Sequence, residues 1–187
     1  MPAAFYPALY TINGAWLAFM GVWLVLAFNT KRTVYREPVY QRLTYFAGAV
    51  AAFFLLRRAT RHGLPVTSTA EVLGAVLCVL GIGLAIMARL QLGRNWSGMV
   101  TVKKEHTLIT TGPYRFVRHP IYTGILAAIF GTFLALIPSL SAGGVFVLFT
   151  AIFYLKLRRE EKLMRQTFPT EYPAYQQRVK ALIPFVM

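Results

Sequence analysis

The stretch "IYTGILAAIFGTFLALIPSLSAGGVFVLFTAIFYLKL", residues 121–157, decides the fold. It contains two apolar runs, 121–137 and 142–157, which are separated only by the four residues PSLS. Pro138 ends a helix because it lacks a backbone N–H and clashes with the preceding turn. A connection this short predicts a helical hairpin with antiparallel arms. The apolar character of both arms places the hairpin in a membrane.

The composition supports a membrane protein. Of the 187 residues, 57% are hydrophobic and only 14% are charged, whereas soluble domains are about one quarter charged. A net charge of +14 is also typical of nucleic-acid binding, but here the basic residues flank apolar segments, as expected beside an anionic lipid leaflet. We therefore expect membrane lipid as a partner and no nucleic acid. Cys78 is the single cysteine, which excludes a disulfide framework.

Three further segments are apolar enough to cross a bilayer, whose ~30 Å core needs about 20 residues of helix. They are 5–28, 39–56 and 70–92, of which the second is short. The sequence thus predicts an all-α, multi-spanning helix bundle with about five transmembrane helices. Residues 1–187 form one membrane domain, and 1–90 supply three N-terminal spans. Small residues four apart, such as Gly81 with Ala85, predict close helix packing.

The basic residues predict the orientation. Five spans place the 29–43 loop, the 93–120 loop and the C-terminal stretch from Lys156 on one face, with 16 of the 20 Lys and Arg residues. The positive-inside rule makes this face cytoplasmic and places the N-terminus outside. The first ten residues carry no basic side chain, so we do not expect a cleaved signal peptide.

The predicted cytoplasmic face also carries the chemistry-bearing residues. The 92–120 loop is longer than a simple connection, and such loops are usually functional or disordered. Pro120 suits the first turn of a helix, which places His119 beside unpaired N–H groups and the positive end of the helix dipole. Such a position favours an anion or a neutral imidazole. Glu160 and Glu161 point about 100° apart on a helix, so at most one faces a pocket squarely.

Each of these residues, taken alone, also fits a structural role. Two arginines suit interfacial anchoring, two tyrosines and a tryptophan suit an aromatic belt, and two glutamates suit a salt-bridged helix face. The arginines are Arg115 and Arg118, the aromatic residues are Tyr114, Tyr122 and Trp96, and the glutamates are Glu160 and Glu161. Their coincidence on one predicted face favours a functional site.

Three motifs carry a family resemblance. They are "LGRNWS" (92–97), "HTLITTGPYRFVRHPIYTG" (106–124) and "RREEKLMRQTFPTEYPAYQQRV" (158–179), followed by "LIP" at 182–184. Together they resemble the isoprenylcysteine carboxyl methyltransferase family, and the related phospholipid methyltransferases have a similar C-terminal half. The resemblance covers about residues 90–185, and the N-terminal half matches only in hydropathy.

The resemblance implies an integral membrane methyltransferase that uses S-adenosylmethionine, with 91–187 as the cofactor-binding and catalytic half and a cytoplasmic C-terminal helix. The implied cofactor-binding residues are Gly112, Pro113, Tyr114, Arg118, His119, Pro120, Tyr122 and Glu160. The implied catalytic residues are Arg158, Arg159, Glu160 and Glu161. The implied substrate-binding residues are Trp96, Lys156 and Arg158. No metal is implied.

The identity of the basic residue that contacts the acceptor stays open. The family often has an arginine four residues before the glutamate, and this chain has Lys156 there, so Lys156, Arg158 and Arg159 are all candidates. A carboxylate acceptor is already ionised and needs no base, whereas an amine acceptor requires a Glu or His to remove a proton. The Arg-rich stretch favours an anionic acceptor. We expect a lipophilic small molecule or prenylated substrate, most favourably a prenylcysteine-like acid, with a phospholipid amine as the alternative.

Two other functions compete with this one. An NADPH-dependent, sterol-type membrane reductase shares the architecture, but the chain carries no Gly-rich dinucleotide motif. A non-catalytic membrane protein or small transporter predicts charges buried within the spans. Arg89 is the one candidate for such a charge, and we expect it to snorkel because it lies near a helix end.

Overall fold

The computed structural model describes residues 5–36, 38–40, 43–44, 47–48, 50–52, 54, 66–97, 101–103, 107–137 and 139–184. The helices are α1 (Phe5–Ala27), α2 (Ser68–Leu92), α3 (Pro120–Leu136), α4 (Leu140–Thr167) and α5 (Glu171–Arg178). The strands β1 (Thr33–Arg36) and β2 (Thr101–Lys103) are short, and single 3-10 turns cover Gly93–Asn95 and Gly112–Arg115. The all-α class is confirmed.

Three helices of the described part are long and apolar enough to cross a membrane. Their apolar stretches are Pro7–Ala27, Ser68–Asn95, which includes the 3-10 turn after α2, and Leu140–Thr167, and α3 is a shorter apolar helix of 17 residues. Large apolar side chains face outward along these helices, as lipid contact requires. Eight of the eighteen residues of the predicted segment 39–56 lie outside the described residues. The described helices therefore confirm a multi-spanning bundle.

The predicted hairpin corresponds to α3 and α4. Ser139 caps α4 because its side chain accepts a hydrogen bond of 3.1 Å from the backbone N–H of Ala142. Pro138 lies outside the described residues. Helix α4 continues ten residues beyond the predicted end at 157, which carries the Glu160–Glu161 pair out of the apolar part of the helix.

Helices α2 and α3 pack closely against each other. A Cβ atom added to Gly81 would lie 2.5 Å from the carbonyl oxygen of Gly124, and one added to Gly131 would lie 2.5 Å from that of Gly74. Only glycine allows the backbones to approach this closely. The close packing predicted from the small residues is confirmed, and it fixes where the first turn of α3 stands against the end of α2.

The basic segments meet at one end of the bundle, as their sequence positions predict. Strand β1 pairs antiparallel with β2, and the backbone N–H of Lys31 donates to the carbonyl of Arg94 at 2.9 Å. The C-terminal tail joins the same end because Arg118 and His119 donate backbone hydrogen bonds to Lys180 and Ala181 at 2.8 and 3.0 Å. The strand pair itself was not predicted.

Arg89, which the sequence predicts to snorkel from its helix end, is buried at that end. Its exposure is 1%, and its guanidinium donates to the carbonyl oxygens of Leu26 and Gly93. These two carbonyls lie at the C-terminal ends of α1 and α2, where the negative end of the helix dipole favours a cation. Glu71, which also lies in the predicted span 70–92, is buried near the opposite end of α2, so Arg89 is not the one candidate for a buried ionisable residue.

Candidate active site

A cavity of about 290 Å³ opens at the end of the bundle where the basic segments meet. This volume lies at the small end of the range typical of ligand pockets. The wall is built by residues from α1, the end of α2, the loop at 107–109, α3, α4 and α5. Since these parts are distant in sequence, the cavity exists only in the folded bundle.

The start of α3 forms one side of the cavity. Pro120 is the first residue of the helix and His119 is its N-cap, as predicted. The His119 side chain makes no capping hydrogen bond and lines the cavity instead. The backbone N–H groups at the start of α3 and the imidazole of His119 therefore lie close to the cavity. Helix N-termini bind anions in this arrangement.

Three aromatic rings stack from the polar to the apolar side of the cavity. The ring centroids of His119 and Tyr122 are 5.5 Å apart, and those of Tyr122 and Phe153 are 4.9 Å apart. The planes are nearly parallel, at 5° and 11°. Lys156 extends over this stack, with its Nζ 5.4 Å from the centre of the Tyr122 ring. The ammonium group of Lys156 and the imidazole of His119 therefore lie close to the apolar ring of Phe153.

Glu160 is the carboxylate that faces the cavity. Its Oε1 accepts a hydrogen bond of 2.6 Å from the Tyr122 hydroxyl, and its Oε2 lies 3.6 Å from Nδ1 of His119. Its side chain remains 23% exposed. A carboxylate that is held in place but still accessible is suited to bind a cationic group.

The neighbouring Glu161 has a different environment. Its side chain is only 6% exposed and pairs with Arg118, whose Nη2 lies 2.6 Å from Oε1. Oε2 accepts a hydrogen bond of 3.0 Å from Gln176, and Nε2 of His119 lies 3.3 Å from Oε1. Arg118 also donates to the carbonyl of Val179. Thus one glutamate faces the cavity and the other fixes the C-terminal tail, as their angular separation on α4 predicts.

Buried tyrosines close the cavity beneath the tail. The Tyr175 hydroxyl donates to the carbonyl of Tyr114, and the Tyr114 hydroxyl donates to the carbonyl of Ala88 at 3.3 Å. Burial raises the pKa of Tyr114 and raises the pKa of Tyr175 to about 12. Both phenols are therefore protonated at neutral pH and act as hydrogen-bond donors that join α5, the 112–115 turn and α2.

A tryptophan wall, formed by Trp23 and Trp96, lies on another side of the cavity. The two rings meet edge to face, with centroids 6.1 Å apart. The guanidinium of Arg89 stacks on Trp96 with its Cζ 4.2 Å from the ring centre. Since Trp23 belongs to a helix that can span a membrane and packs against the apolar core, this wall connects the cavity with the apolar part of the bundle.

The cavity gathers about half of the residues that the sequence predicts for the site. Those that line it are Trp96, Tyr114, Arg118, His119, Tyr122, Lys156 and Glu160. Those that do not line it are Gly112, Pro113, Pro120, Arg158, Arg159 and Glu161. Pro113 and Pro120 are buried in the turn and helix that carry the lining residues.

Gly112 and Arg158 have clear structural environments. Gly112 has a φ of +60°, a conformation that favours glycine, and begins the turn that carries Tyr114. Arg158 is exposed, with its Cζ 5.9 Å from the centre of the Tyr154 ring. Tyr154 is itself exposed. Arg158 therefore lies on a face of α4 that does not line the cavity.

Several lining residues were not predicted to belong to the site, among them Tyr172, Tyr175, Leu163 and Met164. The spacing of these residues in the sequence was a usable signal. Tyr172 and Tyr175 are three apart, and Leu163 and Met164 follow Glu160 by three and four positions. Residues at these spacings share a helix face, so they share the cavity with their partners. Among the described residues, no group of three or more His, Cys, Asp or Glu side chains is arranged to hold a metal ion.

Comparison with known proteins matches this architecture. The family model for the isoprenylcysteine carboxyl methyltransferase (ICMT) family matches residues 72–166, about half of the chain. Protein-S-isoprenylcysteine O-methyltransferase of Saccharomyces cerevisiae is 35% identical over 122 residues, which is 64% of this chain and 51% of that protein. The cobalt-zinc-cadmium resistance protein CzcN of Cupriavidus metallidurans is 36% identical over 110 residues, which is 58% of this chain and 48% of CzcN.

A solved structure of similar fold is that of the eukaryotic intramembrane Ras methyltransferase ICMT. The TM-score is 0.60 at 27% identity, and the match covers 76% of this chain and 53% of that one. This chain spans about half the length of these relatives. The matched region contains the α2–α3 contact, the ring stack and Glu160, and on that basis the chain belongs to the isoprenylcysteine carboxyl methyltransferase family.

Proposed function

We propose that the protein transfers a methyl group from S-adenosylmethionine to the carboxylate of a lipophilic acceptor, most favourably a prenylcysteine-like acid. The observation that carries the proposal is the composition of the cavity wall. Glu160, His119 and Lys156 stand on one side, while Ile125 and Phe153 continue the wall into the apolar part of the bundle. A single space thus offers contacts for a charged cofactor and for a hydrocarbon chain.

The polar side suits the cofactor. S-adenosylmethionine carries a cationic sulfonium with a transferable methyl group, an amino acid tail and an adenine. The accessible carboxylate of Glu160 is suited to the amino group, and the N-terminus of α3 with His119 is suited to the cofactor carboxylate. Trp96, another ring of the cavity wall, can attract a cation through its π face, a contact worth about 0.5–2 kcal/mol. These residues fit the cofactor without a metal ion.

The acceptor requires positioning rather than deprotonation. A carboxylate is ionised at neutral pH, so it attacks once it is held in line with the methyl carbon and the leaving group. Such positioning can supply about 7–11 kcal/mol of catalysis. We assign the acceptor contact to Lys156, because it lines the cavity and Arg158 does not. The tryptophan wall and the apolar end of the cavity then receive the lipid chain.

We place the site at the cytoplasmic membrane surface, with the N-terminus on the opposite side. The basic segments share the end of the bundle that carries the cavity, and basic residues favour the cytoplasmic face. An active site at this level meets a water-soluble cofactor from one direction and a membrane-borne acceptor from the other.

The test is methyl transfer by the detergent-purified or reconstituted protein, with methyl-labelled S-adenosylmethionine. The acceptor panel contains an S-prenylcysteine acid, its carboxamide and a phospholipid amine. We expect label on the acid alone, in a base-labile ester. Label on the phospholipid amine and none on the acid would show that the acceptor is an amine. Reduction of a lipid with NADPH would show that the protein is a reductase.

A further inference from the structure

Arg89 has no place in the proposed reaction, although it is among the most buried side chains of the described structure, with 1% exposure. No carboxylate among the described residues forms an ion pair with it, and its Nε has no hydrogen-bond partner there. Burying a charge is costly unless it is well paired. A buried arginine without a carboxylate therefore needs a specific explanation.

The partners of Arg89 are the ends of two membrane helices. Nη2 donates to the carbonyl of Leu26 at 2.7 Å, and Nη1 donates to the carbonyl of Gly93 at 2.8 Å. Both carbonyls lie at helix C-termini, where the helix dipole is negative. The guanidinium thereby joins the end of α1 to the end of α2.

The third contact of Arg89 leads to the cavity. Its guanidinium stacks on Trp96 at 4.2 Å, and Trp96 meets Trp23 edge to face. Both indole rings line the cavity, whereas Arg89 itself does not. Trp23 lies on α1 and Trp96 follows α2, so the residue that joins the two helix ends also supports the wall that they carry.

We propose that Arg89 is a positioning residue that fixes the tryptophan wall and so sets the affinity for the lipophilic acceptor. It acts through Trp96 and does not touch substrate or cofactor. The second half of this inference rests on the proposed function, because it names the acceptor. The first half, that Arg89 immobilises Trp96, stands without it.

The first experiment uses the protein without cofactor or acceptor. The chain has three tryptophans, so Trp16→Phe with Trp23→Phe leaves Trp96 as the single indole. We then compare acrylamide quenching of Trp96 in this protein with that after Arg89→Gln, Arg89→Lys or Glu71→Gln. Glu71 is the matched control, since it is also ionisable and buried but lies about 27 Å away along the same helix.

We expect the quenching constant of Trp96 to rise at least twofold with Arg89→Gln and to stay unchanged with Glu71→Gln. Arg89→Lys should give an intermediate value, because lysine keeps the cation but loses the planar fork. Unchanged quenching in folded Arg89→Gln overturns the proposal. If neither Arg89 variant folds, Arg89 holds the bundle together in general and the proposal is also overturned.

The second experiment measures kinetics in the full chain with its native tryptophans. We expect Arg89→Gln to raise the KM for the acceptor at least tenfold, with kcat and the Kd for S-adenosylmethionine changed less than threefold. In a Trp96→Leu background the same substitution should add less than twofold, because both act through one contact. The proposal is contradicted if kcat and cofactor affinity fall as much as the acceptor KM rises. It is also contradicted if the effects of Arg89→Gln and Trp96→Leu on the acceptor KM are additive. Absence of methyl transfer by the wild type refutes the proposed function and leaves the quenching result standing.

Discussion

Tyr122 and Glu160 are joined by a hydrogen bond of 2.6 Å, in which the phenol donates to Oε1 of the carboxylate. The bond connects the first turn of α3 with the charged half of α4. Hydrogen bonds to an ionised group are shorter and stronger than neutral ones. Because the Tyr122 ring is stacked between His119 and Phe153, it holds the carboxylate of Glu160 at the polar end of the cavity.

Tyr122→Phe should weaken S-adenosylmethionine binding about tenfold. The substitution keeps the ring stack but removes the hydroxyl that orients Glu160, and a hydrogen bond to a charged group contributes about 1.5–3 kcal/mol. Calorimetry on the purified protein measures the change. Tyr154→Phe is the control, since Tyr154 is an exposed tyrosine of α4 and should leave binding unchanged. Equal Kd values for Tyr122→Phe and the wild type would show that this hydrogen bond does not contribute to cofactor binding.

Lys156→Met should raise the acceptor KM about tenfold, while Arg158→Met should change it less than twofold. Lys156 lines the cavity beside Tyr122, whereas Arg158 is exposed on another face of α4. Steady-state kinetics with the acid acceptor at saturating cofactor separates the two residues. The reverse order of effects would move the acceptor contact to Arg158.

Arg118→Met should destabilise the protein by about 3–5 kcal/mol, because it leaves the buried carboxylate of Glu161 without its cation. The combined change Arg118→Met with Glu161→Leu should recover most of this loss, since an apolar pair replaces the ion pair. Thermal unfolding in detergent measures both. A double variant no more stable than Arg118→Met would show that the other contacts of these residues carry the stability.

Gly81→Ala should destabilise the bundle by about 1–3 kcal/mol, as overpacking of a close contact does. The added Cβ would lie 2.5 Å from the Gly124 carbonyl and force α2 away from α3. Gly83→Ala is the matched control on the same helix, because nothing lies within 4 Å of its added Cβ. Thermal unfolding of the two variants should differ clearly, and equal midpoints would contradict the α2–α3 packing described above.

Much of the fold is local in sequence and was therefore predictable. Two apolar runs with Pro138 between them define the hairpin, and the Pro120 signal gives the first residue of α3. Counting the predicted spans places the basic segments at the same end of the bundle. The strands β1 and β2 were missed because they have only four and three residues, too few for an alternating pattern to show.

The site was predicted in composition but not in detail. The sequence shows that Glu160 and Glu161 cannot both face a pocket, yet which one does depends on Arg118 and on Gln176 from α5. The burial of Arg89 depends in the same way on the carbonyl of Leu26, 63 residues away. Such long-range partners carry no local signal, and only the folded bundle brings them together.

The most direct test of the account is calorimetric binding of S-adenosylmethionine to the wild type and to Glu160→Gln. The account predicts binding to the wild type and at least tenfold weaker binding to the variant, about 1.4 kcal/mol, because Glu160 is the accessible carboxylate of the cavity. Thermal unfolding should stay close to that of the wild type. No binding to the folded wild type, or equal binding to both proteins, would contradict the assignment of this cavity to the cofactor.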